Sequence, residues 1–192
     1  MREGCFYYFG FTQYGKTTLA LKHLSEEVLE TGRRSLILDC MPALNFKSWR
    51  HEPDRYAVLS RLCRDGTHAV YTPKDREDLE ALFKALHEEV APLYVLWDEC
   101  TIHMDPDPAS WCSRALRGWG HSGHVFFVTT QRPGDMPSES GFWVTAPEIY
   151  IFHLERASDL QRVEMDFGFP REAVKALPKY EPLVYWRDRS HA

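Results

Sequence analysis

A chain of 192 residues that is 44% hydrophobic and 14% aromatic can bury one substantial core, and its length argues for a single domain. A net charge of −5 excludes a uniformly basic nucleic-acid binder and leaves room for a localised basic channel within a ring of subunits. Five cysteines at spacings of 35, 23, 37 and 12 form neither metal-ligand pairs nor a disulfide framework, which suits a reducing compartment.

CFYYFG (5–10) reads as a buried strand. From Lys16 to about Glu30, Leu19, Leu21, Leu24, Val28 and Leu29 recur at helical spacing until Gly32 stops the helix. RRSLILDC (33–40) and HAVYTP (68–73) are further strands; the stretch between them carries two prolines and the aromatic-basic string NFKSWRHEP and is expected to be irregular. KDREDLEALFKALHEEV (74–90) is an amphipathic helix with its acids early, followed by the strand LYVLWDE (93–99). A short helix near 109–117 leads to the strand HVFFVTTQ (124–131). The strands EIYIFHL (148–154) and PLVYWRD (182–188) then flank two short helical segments broken by Gly168, Pro170 and Pro178. The longest apolar runs, PLYVLW and HVFFV, are strand-sized and well short of the roughly 20 residues a membrane helix needs. Alternating strands and helices predict an α/β fold, with a mostly parallel sheet covered by helices on both faces.

Gly10-Phe11-Thr12-Gln13-Tyr14-Gly15-Lys16-Thr17 satisfies G-x-x-x-x-G-K-[ST] between a strand and a helix, the context a P-loop requires. The glycines allow backbone N–H groups along the loop, from Thr12, Gln13 and Tyr14 through to Thr18, to converge on phosphate oxygens at a helix N-terminus. Lys16 is placed to reach the β- and γ-phosphates of ATP, and the Thr17 hydroxyl to ligate Mg²⁺. Asp98 and Glu99 emerge at the C-terminal end of an apolar strand, where ligands bind in open α/β sheets. Asp98 suits the Mg²⁺ shell, and Glu99 suits orienting and deprotonating the attacking water. Gln131 ends the next strand, and its two-ended amide can contact the γ-phosphate or that water.

The strings GFTQYGKTT, LYVLWDE, VFFVTTQRPGDMP and a final IYIFHL, in this order, resemble the FtsK/HerA superfamily of DNA-pumping P-loop ATPases, within the additional-strand, glutamate-using branch. The resemblance implies that the sensor strand ending in Gln131 lies between the strands carrying the P-loop and Glu99. The small size, with neither N-terminal barrel domain nor membrane anchor, is similar to the genome-packaging ATPases of tailless, membrane-containing icosahedral viruses. It implies a homo-oligomeric, hexameric ring around double-stranded DNA, docked on capsid vertex proteins in the host cytoplasm or virion without membrane insertion. It also implies an arginine finger from a neighbouring subunit, with Arg117 the first candidate and Arg114 the second. Lys47, Trp49, Arg50 and Arg132 are candidate DNA contacts. Competing readings are a small-molecule kinase, which normally needs an arginine-rich lid, a DNA-repair translocase, and a filamentous-phage assembly ATPase.

Overall fold

A computed structural model describes residues 4–41, 49–64, 68–90, 92–105, 107–118, 123–136 and 146–186. In chain order the elements are β1 (Gly4–Phe9), α1 (Lys16–Thr31), β2 (Ser35–Asp39), β3 (Arg50–His51), α2 (Arg55–Arg64), β4 (His68–Tyr71) and α3 (Arg76–Glu89). They continue with β5 (Tyr94–Asp98), α4 (Trp111–Gly118), β6 (Val125–Thr130), β7 (Glu148–Ile151), α5 (Ala157–Phe167), α6 (Arg171–Lys175) and β8 (Leu183–Trp186).

The eight strands among the described residues join one sheet in the order β3-β4-β2-β5-β6-β1-β7-β8. Every pairing is parallel except β7 with β8. Strand β6, which ends just before Gln131, lies between β5 and β1, as the family resemblance implies. The central strands β2, β5 and β6 are buried along their whole length and largely apolar because both faces are covered. Phe6 and Tyr8 of β1 pack with Ala20 and Leu24 of α1, while Cys5, Tyr7 and Phe9 face the opposite core, to which α2 through α6 all contribute.

Local chemistry sets the boundaries. Gly32 ends α1 in the left-handed conformation, returning its N–H to the Val28 carbonyl at 2.8 Å. The Asp75 carboxylate caps α3 by accepting from the Asp78 N–H at 2.8 Å. The stretch expected to be irregular instead contains α2 and the two-residue edge strand β3. Asp54 accepts from the Ala57 N–H at 2.9 Å and starts α2, whose Val58, Leu59 and Leu62 are buried. Three buried apolar positions in ten residues, starting two residues after a proline, gave too short a period to stand out in the sequence.

His124, immediately before β6, is buried and accepts from the Leu93 N–H on Nδ1 at 3.3 Å, a role that only the neutral ring can fill. Burial, assisted by the charge of His87, pushes its pKa down to about 4. The unfolded chain therefore binds the extra proton first as pH falls. Stability supplied by neutral His124 should be complete above about pH 6.5 and decline by up to about 1.4 kcal/mol per pH unit towards pH 4. Unfolding free energies across this window should show a shallower acid slope for His124→Asn than for the wild type. Equal slopes would remove His124 as the cause.

Candidate active site

The parallel register brings the C-terminal ends of β5, β6 and β1 to one edge of the sheet, with Phe9 opposite Thr130 and Trp97 opposite Val128. The loop leaving β1 is anchored on both sides: Gly10 N–H donates to the Thr130 carbonyl at 3.2 Å, and Phe11 N–H to the His153 carbonyl at 2.8 Å. A Cβ on Gly10 would lie 2.6 Å from the Phe152 Cβ. Gly15 has φ +99, and a Cβ there would lie 2.5 Å from the Tyr180 ring. Both glycines are therefore required by space, and Gly15 by backbone angle as well.

Helix α1 starts at Lys16 with no side-chain hydrogen bond on its cap and no acid in its first turn. Its N-terminal N–H groups and positive dipole end are thus directed at the loop, an anion site built from backbone. Gln13, Gly15, Lys16, Thr17 and Thr18 line a cavity of about 320 Å³ whose remaining wall is Lys179 and Tyr180.

Asp98 and Glu99 are both 5% exposed. Thr17 Oγ1 donates to Asp98 Oδ1 at 2.8 Å, and Thr129 Oγ1 donates to the same oxygen at 2.7 Å. Thr129 also accepts from the Glu99 N–H at 3.0 Å, so this one hydroxyl sets the relative position of the two acids. Glu99 has φ 51 and leaves the strand in the left-handed region, turning into a 3₁₀ segment at Cys100–Ile102. Such a conformation costs a non-glycine residue roughly 1–2 kcal/mol and persists where its surroundings hold it.

Those surroundings are the rest of the site. Glu99 Oε1 forms an ion pair with Lys16, each side chain 7% exposed, and Oε2 accepts from the Gln131 N–H at 3.0 Å. Gln131 in turn accepts the Thr12 hydroxyl on Oε1 at 2.6 Å. The phosphate-loop lysine, the strand-end glutamate and the sensor glutamine, expected from separate parts of the sequence, are therefore one bonded network. Thr17 and Asp98 are hard oxygen donors within reach of a common ligand, a set that fits Mg²⁺.

The other candidates lie elsewhere. Arg114 is exposed, its guanidinium 5.0 Å from the Trp111 ring centroid, and Arg117 is half-buried on the last turn of α4. The adjacent Leu116 carbonyl accepts from Cys5 Sγ at 3.3 Å, near the start of β1 and about 16 Å of strand away from Gly10. This end of α4 thus faces the edge opposite the phosphate loop of its own chain. Arg50 lies exposed on β3 with Glu52 at 3.5 Å, near the half-buried Trp49. Arg132 borders a second hollow beyond Glu99 and Gln131 and pairs with Asp135 at 3.6 Å. Lys47 lies outside the described residues. Sequence reading did not anticipate Thr129 as the tie between the acids, nor Lys179 and Tyr180 beside the loop. The TT before Gln131 was a visible signal for the first. A wall more than 160 residues from the motif had none.

No protein-family model matches the sequence, and no curated protein is significantly similar to it. Solved structures are similar over nearly the whole chain. The genome packaging NTPase B204 from Sulfolobus turreted icosahedral virus 2, in complex with AMP, has a TM-score of 0.74 at 20% identity, covering 97% of this chain and 94% of that one. Its complex with AMPPCP gives 0.73 at 21% identity, covering 96% and 92%. B204 from Sulfolobus turreted icosahedral virus, described as a DNA-packaging ATPase, gives 0.71 at 18% identity, covering 95% and 92%. Together with the site geometry, this likeness shows that the chain has the α/β P-loop NTPase fold, in the form found in these viral proteins.

Proposed function

We propose that this chain is an ATP-hydrolysing motor that translocates double-stranded DNA, and specifically the motor that packages a viral genome into its capsid. The observation that carries this reading is Glu99, held at once by Lys16 of the phosphate loop and by the Gln131 backbone of the sensor strand. A carboxylate at that position takes a proton from water attacking a phosphate bound in the loop. Lys16 and the loop N–H groups hold the phosphates, and the Gln131 amide orients the water or γ-phosphate. Thr17 and Asp98 would hold Mg²⁺, which would supply neutralisation of phosphate charge.

The DNA-packaging part is supported by the TQRP string at the end of β6 and by the fold shared with the B204 proteins, a genome packaging NTPase and a DNA-packaging ATPase. The reading includes a hexameric ring with ATP between subunits. Because α4 ends at the edge away from its own phosphate loop, Arg117 or Arg114 would act on a neighbour's site. Arg50, Arg132 and Lys47 would line the DNA path, and capsid vertex proteins would dock the ring. Phosphate release measured with and without double-stranded DNA, alongside molar mass with nucleotide and DNA, tests this. DNA should raise the turnover rate several-fold and promote assembly. A robust ATPase indifferent to DNA would refute translocation, and a phosphorylated small molecule in place of free phosphate would favour the kinase reading.

A further inference from the structure

The turn that leads into β8 crosses back over the phosphate loop. Tyr180 N–H donates to the Tyr14 carbonyl at 3.2 Å, and the Tyr180 ring lies against Gly15 so closely that a Cβ at residue 15 would meet it at 2.5 Å. Tyr180 has φ 69, a conformation costly for an aromatic residue, yet 61% of its surface is open to solvent. The Lys179 ammonium lies over the ring, 5.1 Å from its centroid. Both side chains wall the cavity whose other side is Gln13, Gly15, Lys16, Thr17 and Thr18.

A core aromatic would be covered, and a surface aromatic would have no reason to be held in a left-handed turn bonded to the loop. Phosphates gripped at Lys16 and Thr17 leave the ribose and base of a nucleotide to extend along the loop into this same cavity. We infer that Tyr180 is the stacking platform for the nucleobase and that Lys179 meets the α-phosphate, so this C-terminal turn completes the nucleotide site. The inference rests on the nucleotide-binding part of the proposed function. A π-face is common to all bases, so stacking confers affinity for nucleosides without choosing between adenine and guanine.

Calorimetric titration with ADP, GDP and pyrophosphate separates this role from simple support of the loop. Tyr180→Ala should weaken ADP and GDP by about 5- to 100-fold and leave pyrophosphate unchanged. Tyr180→Phe should keep ADP within about twofold, because the ring face is retained. Lys179→Met, which leaves the ring in place, should weaken ADP and pyrophosphate alike, several-fold, because both place a phosphate at the α position. Equal weakening of ADP and pyrophosphate by Tyr180→Ala would show that the turn only props the loop, and unchanged ADP affinity in Tyr180→Ala would refute the platform; either result overturns the inference. Phosphate release from ATP by the same proteins keeps the two readings apart. A wild type that binds ADP through Tyr180 but releases no phosphate overturns the ATPase reading alone, an active enzyme whose ADP affinity ignores Tyr180 overturns the platform alone, and no ADP binding overturns both.

Discussion

Glu99→Gln should lower the turnover number for ATP by about 100- to 10,000-fold, the range that a positioned general base contributes, while ATP still binds. Glutamine has nearly the shape of glutamate, and its amide oxygen can still accept from the Gln131 N–H that now binds Oε2 at 3.0 Å. It cannot take the proton of the attacking water. It also removes the charge that holds Lys16 in the nucleotide-free protein, so Lys16 meets the phosphates without first leaving a carboxylate. Binding should therefore be unchanged or tighter while phosphate release in a single turnover collapses. A turnover number within threefold of wild type would remove Glu99 from the base role.

Lys16→Ala should do more than abolish nucleotide binding: it should destabilise the nucleotide-free fold by about 3–5 kcal/mol. Both members of the Lys16–Glu99 pair are 7% exposed, and removing one leaves the other charge buried without its partner. Pairing Lys16→Met with Glu99→Gln, which leaves no charge behind, should recover most of that stability while remaining inactive. Urea unfolding of Lys16→Met, Glu99→Gln and the double variant forms the cycle that measures this coupling. Additive losses would show that the pair contributes nothing to the fold.

This pair also bears on what the sequence could disclose. Each element of the phosphate site was legible by itself, because P-loop chemistry demands fixed residue types at fixed spacing on local structure: Gly10 and Gly15 in the loop, Lys16 and Thr17 opening α1, Asp98 and Glu99 ending β5. The alternation of strands and helices was legible for the same local reason. Contacts between distant segments were not. Which atom of Glu99 meets Lys16, the tie of Thr129 to both acids, and the return of Tyr180 onto Gly15 are set by sheet order and register. Helix α2 escaped notice for a different reason: its short apolar pattern was masked by neighbouring prolines, and burial against the sheet stabilises it. The arginine candidates came from family resemblance, and their place on α4, away from the loop, follows from how that helix packs rather than from any local signal.

The strand order has a consequence for how the protein is made. The strands β2, β4 and β5 can pair with one another from a continuous stretch of chain, but β1 bonds solely to β6 and β7. Gly4 waits for Val125, and Tyr7 for Ile149. Strand β1, with its Phe6-Tyr7-Tyr8-Phe9 run, is synthesised before both of its partners, and any nascent or truncated chain ending before β6 exposes it as an adhesive edge. The phosphate loop that follows β1 is in this sense assembled by β6 and β7, which come much later in the chain.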